Sequence, residues 1–132
     1  MGLDMYGYTM KAEFVGDRQT DVNVREDERE EAALNHFAYW RKFNHLHGWM
    51  ENLYRQKGGK AEVFNYCTVR LELEDLDRLE SDLNEEKLEY TPGFFFGNDE
   101  IYPEDITETK NFIANARLAI AKGQAVFYDS WW

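Results

Sequence analysis

Trp40, Arg41, Asn44 and His47, together with Phe94, Phe95 and Phe96 and the terminal Trp131 and Trp132, have the side chains from which a ligand pocket is built. Aromatic walls with a few placed donors suit a nucleobase or another small metabolite. The same residues also suit a core network, in which Asn44 and His47 hydrogen-bond the backbone of the Phe-rich segment beside them. An unpaired buried imidazole or amide costs on the order of 1–3 kcal/mol, so one of these two arrangements is required. At roughly 100° per residue, Ala32, His36, Trp40, Phe43, His47, Met50 and Tyr54 fall on one stripe. The spacing therefore predicts a single long helix from Glu28 to about Gln56, stopped by Gly58-Gly59.

Other chemistries find less support. On such a helix His36 and His47 lie about 16 Å apart, and His45 points away from both, so no shared metal ion is expected. The HExxH, GxSxG, Walker A and Rossmann patterns are all missing. Carboxylates cluster in Glu72-Leu73-Glu74-Asp75, Asp99-Glu100 and Glu104-Asp105, but nothing in their spacing fixes which pair would converge; they read as caps and solvated faces. The single cysteine, Cys67, excludes an internal disulfide and a cysteine-built zinc site and fits a reducing compartment. It sits in Asn65-Tyr66-Cys67-Thr68-Val69, which reads as a strand where a small soft side chain packs. No catalytic residue, metal ligand or cofactor is expected.

The chain carries 26 acidic and 15 basic residues, a net charge of −11. That surface repels phosphate and argues against direct nucleic-acid binding. Arg41-Lys42, Arg55, Lys57 and Lys60 form the one locally basic region. An acidic protein can present carboxylates to a basic partner, and Glu26, Asp27, Glu30, Glu31, Glu72, Glu74 and Asp75 are the candidates for that contact. The same charge also serves plain solubility, and Glu26 to Glu31 suit the positive end of a helix dipole.

The elements that must position these residues follow from periodicity. Leu3 to Val15 reads as a strand ending near Gly16, Val22 and Val24 as a short second strand, and Val63 to Val69 as another. Glu74 to Leu83 is a short amphipathic helix with Leu76, Leu79 and Leu83 as its seam. Pro103 opens a last helix with Ile106, Phe112, Ile113, Ala116 and Ile120 on its apolar face, and Gly123 closes it. Gln124 to Trp132 is a closing strand. Four Trp, eight Tyr and nine Phe in 132 residues exclude disorder as the overall state. The result is one α+β domain, a small mostly antiparallel sheet packed against one long and two shorter helices. No run of about 20 apolar residues suggests a membrane span, and Met1-Gly2-Leu3-Asp4 offers no signal-peptide pattern.

Met1-Gly2-Leu3-Asp4-Met5-Tyr6, then Tyr39-Trp40-Arg41-Lys42 with Asn44, His47 and Trp49, then Gly93-Phe94-Phe95-Phe96-Gly97, and finally Phe127-Tyr128 with Ser130-Trp131, resemble a family of small tailed-bacteriophage proteins. The motifs run in the same order over nearly the whole chain, while Gln56 to Leu88 matches only in pattern. The ending Asp129-Ser130-Trp131-Trp132 departs from the family's Ser-Ser-Trp tail. The resemblance implies a phage or prophage accessory protein acting in the bacterial cytoplasm, and it carries over no catalytic residues. Two functions are then expected: a non-enzymatic acidic protein that engages or inhibits a host or anti-phage defence protein, or a binder or hydrolase of a nucleotide or small metabolite around Trp40, Asn44 and His47.

Overall fold

Strands β1 (Asp4–Lys11) and β4 (Gln124–Trp131) form the centre of the fold, paired antiparallel from Asp4↔Trp131 to Lys11↔Gln124. β2 (Asn35–Arg41) flanks β1 and β3 (Thr68–Leu71) flanks β4, giving one antiparallel sheet of order β2-β1-β4-β3. The computed structural model describes residues 2–93 and 96–132, so Phe94 and Phe95 lie outside the described residues. Helices α3 (Asn44–Gln56), α4 (Leu73–Asn84) and α5 (Pro103–Ala121) supply the larger core with one sheet face. Single-turn helices α1 (Ala12–Val15) and α2 (Arg29–Ala32) belong to a smaller cluster on the other face. The α+β architecture expected from the sequence is therefore present. No described helix is long and apolar enough to cross a membrane.

Side chains alternate across a strand with period two, and that assigns the faces. Met5, Ala38, Trp40, Val69, Leu71, Val126 and Tyr128 join α3–α5 in the main core. Tyr8, Met10, Ala125 and Phe127 point the other way and are covered by Val15, Val22 and Ala32. That cover is short. Tyr6, His36, Tyr39 and Trp131 share this second face and remain wholly or partly open to solvent. Gly7 in β1 lets α5 approach, because a Cβ there would lie 2.6 Å from a Phe112 ring carbon. Opposite it β2 bulges, Ala38 facing Gly7 and His36 facing Tyr8, and the extra residue Phe37 stacks on Phe112 at 5.4 Å.

Four expectations need correction. The opening strand ends at Lys11, and the residues up to Val15 form α1 instead. The single helix over 28–56 is broken: a 3-10 turn (Glu26–Glu28) and α2 end at Ala33 with φ 54°, β2 follows, and Lys42 at φ 58° turns the chain into α3. Pairing with β1 decides this, since aromatic-rich Asn35–Arg41 suits a pleated surface as well as a helix and tertiary context settles such ambiguity. Most of the supposed stripe is buried all the same, but His36 lands on the opposite sheet face from Trp40. Val22 and Val24 form no strand. Residues 61–67 are irregular, with Tyr66 at φ 58°, and only 68–71 continue as β3. The last helix, α5, is the longest.

Candidate functional site

Asn44 opens α3 and uses its whole amide on the neighbouring segment. Its Nδ2 donates to the Phe96 carbonyl at 3.1 Å and to that of Asn98 at 2.8 Å, and its Oδ1 accepts from the Thr91 amide at 3.0 Å. One helical turn on, His47 is 1% exposed, with Nδ1 2.7 Å from the Tyr128 hydroxyl and its ring 5.0 Å from Phe64 and 4.9 Å from Phe96. Burial holds its pKa down at about 3, so the imidazole is neutral, and burial likewise raises the Tyr128 phenol. Trp40, also buried, donates to Thr109 Oγ1 at 3.0 Å. Arg41 is exposed and binds Asp4 at 2.8 Å. The chain thus joins Asn44, His47 and Phe96 in an interior network, leaves Trp40 in a separate bond and puts Arg41 at the surface.

The seven acidic candidates divide in the same way. Glu26, Asp27, Glu30 and Glu31 are exposed along the turn and α2, Glu26 pairing with Arg29 at 3.3 Å and Asp27 with Arg25 at 3.4 Å. Glu74 is exposed and Glu72 half-buried at the start of α4. Asp75 differs, being 5% exposed: it accepts from Lys57 Nζ at 2.6 Å and from the Glu72 amide at 2.9 Å, as the inner half of a capping box. A partner surface cannot reach it. Lys57 is equally committed, donating also to Gln19 and to the Arg70 carbonyl, so the basic region expected near Arg55 and Lys60 is partly internal.

Two further places emerge whose residues the sequence did not bring together. On the open sheet face Asp129 of β4 lies between Tyr6 of β1 and Thr68 of β3. Its Oδ1 is buried without a hydrogen-bond partner among the described residues, and burial pushes the carboxyl up to about 6. A cavity of about 210 Å³ beside it is lined by Tyr8, Arg29, His36 and Thr68 among others. Around Asp129 runs a band of aromatic side chains. Tyr6 meets His36 at 5.7 Å and Tyr39 at 5.4 Å, the Trp131 indole donates to the Tyr6 hydroxyl at 3.3 Å, and Tyr66 stacks on Trp131 at 6.2 Å. The second place is a cleft of about 300 Å³ between α3 and α4, bordered by residues 87–91. Neither cavity is lined by Trp40, Arg41, Asn44, His47 or Phe96.

The chain matches no protein family, no curated protein and no solved structure. Its chemistry therefore rests on geometry. Among the described residues no three His, Cys, Asp or Glu side chains are grouped to hold a metal ion. Cys67 is buried, its thiol directed at the Val63 and Asn65 carbonyls and its pKa raised chiefly by burial, which makes it a poor nucleophile. The open face sets flat π surfaces around Asp129, whose Oδ1 has no partner among the described residues.

Proposed function

We propose that this protein is a non-enzymatic binding protein of phage or prophage origin, acting in the bacterial cytoplasm, that grips a basic segment of a host or defence-system protein on the open face of its sheet. The observation that carries this reading is Asp129, with its unpartnered buried oxygen, set among Tyr6, His36, Tyr39, Tyr66 and Trp131. Leaving a buried carboxylate oxygen unpaired is costly. A guanidinium or ammonium group relieves that cost with charge-assisted hydrogen bonds, while the rings add cation–π attraction of roughly 0.5–2 kcal/mol each. The net charge of −11 attracts such a partner from a distance and repels nucleic acid.

The test is affinity copurification from bacterial lysate with the wild-type protein, Asp129→Asn and Trp131→Ala side by side. We expect a stoichiometric partner, released by salt, whose yield falls at least tenfold in both variants. Equal capture by all three proteins would refute this use of the sheet face.

A further inference from the structure

We infer that the cleft between α3 and α4 is a second, independent site, built for a mononucleotide. His45, Trp49, Asn52 and Gln56 lie on one face of α3 at spacings of four, three and four residues, and all line this cleft of about 300 Å³. That volume is at the small end of small-molecule sites. Across from them stand Arg78 and Asp82 of α4, and Lys87, Glu89, Tyr90 and Thr91 close the border. Gly48 allows this closure, because a Cβ there would collide with the Thr91 hydroxyl.

Each component of a nucleotide finds a matching group. Trp49 is held in place by its indole N–H on Asp82 at 2.9 Å and by the Arg78 guanidinium 5.5 Å over its ring, and Tyr90 lies 6.0 Å from the His45 ring. These π surfaces suit stacking of a base. The Asn52 and Gln56 amides are exposed on this face, and a single such amide can bond the N6 and N7 edge of adenine with two hydrogen bonds. Lys87 is exposed and held only loosely, by Glu85 at 3.5 Å, and can meet a phosphate, whereas Arg78 is engaged with the Trp49 ring and with Asp75 at 3.6 Å. Asp82, which accepts from the indole, and the exposed Glu89 are the acids of the same lining. His45 adds a second observation. It is 3% exposed, its Nε2 lies 3.3 Å from Asp99, and its Nδ1 has no partner among the described residues. The cleft faces away from Asp129, because α3 and α4 pack on the other side of the sheet.

The experiment is isothermal titration calorimetry of the full chain with AMP, GMP, CMP, UMP, adenosine and inorganic phosphate. AMP should bind, adenosine at least tenfold more weakly, and phosphate alone should give no heat. Asn52→Ala and Gln56→Ala should each weaken AMP about tenfold. Lys87→Gln should narrow the gap between AMP and adenosine, and all three exposed positions should leave the melting temperature unchanged. No heat from any nucleotide at millimolar concentration, or AMP binding unaltered in the Asn52→Ala, Gln56→Ala protein, would overturn the site. Preference for another base would overturn the adenine assignment. Asp129→Asn should not alter AMP binding, so this result and the partner reading succeed or fail separately.

Discussion

His47 and Asp129 titrate in overlapping pH windows with opposite sign. His47 has its pKa depressed from 6.5 to about 3 on folding, so the unfolded chain takes up the proton first; its contribution is present above about pH 6.5 and is lost as pH falls toward 3. Asp129 is raised from 3.8 to about 6, so its contribution is fully present below about pH 4 and is lost as pH rises through 6. Asp129→Asn should therefore stabilise the protein at pH 7, by on the order of 2 kcal/mol after allowance for its exposed part. Between pH 4 and 6 its stability should climb more steeply with pH than the wild type's. Urea denaturation across that range checks both, and a variant no more stable at pH 7 than at pH 4, relative to wild type, would count against the unpaired carboxylate. His47→Ala should cost about 3 kcal/mol, because it removes a ring packed between Phe64 and Phe96 and leaves the Tyr128 hydroxyl without its partner. A loss below about 1 kcal/mol by the same assay would contradict an interior imidazole.

At the scale of elements, Asn44 ties the start of α3 to residues 91–98 with three hydrogen bonds. Asn44→Ala should raise the amide exchange rate of Thr91 at least tenfold and lower stability by about 2 kcal/mol. Unchanged exchange at Thr91 would show that the segment is held by other contacts. This tie was legible in the sequence as one of two options, since an amide and an imidazole beside a Phe-rich stretch need partners. Helices α4 and α5 were legible too: Leu76, Leu79 and Leu83 repeat between clear start and stop signals, and Pro103 and Gly123 bracket the other. The stretch from Ala33 to Lys42 was not. A step of four residues satisfies both the strand and helix periods, so the spacing alone does not separate them; the deciding partner is β1, far away in sequence, and the bulge at Phe37 then puts His36 and Trp40 on opposite faces. Nor do Ala33 and Lys42, both left-handed without being glycine, announce a break by residue type. The aromatic face around Asp129 was hidden for the same reason: Tyr6, His36 and Trp131 meet only through strand register.

For the molecule as a whole, charge acts on rates more than on stability. Reversing Glu26, Asp27, Glu30 and Glu31 to Lys together should slow association with a basic partner and flatten its salt dependence, while the melting point moves little, because all four are exposed. Surface plasmon resonance at two ionic strengths would show it, and an association rate indifferent to the reversal would refute steering. The free edge of β2 is guarded as well. Its Tyr39 amide donates to Glu108 of α5 at 3.3 Å, which blunts pairing with another strand.

The central pairing of β1 with β4 has a consequence for how the protein is made. Tyr6 and Trp131 are 125 residues apart, at diagonal positions on the two neighbouring central strands, and their side chains share a hydrogen bond. During translation β1 must wait, its apolar side chains uncovered, until β4 clears the ribosome, an interval on the order of ten seconds at about 5–20 residues per second. Until then β2 is the sole sheet neighbour that β1 can recruit. A nascent chain stalled before Gln124 lacks the strand that unites both halves of the core, and it is at this stage that the protein is most exposed to proteases and chaperones.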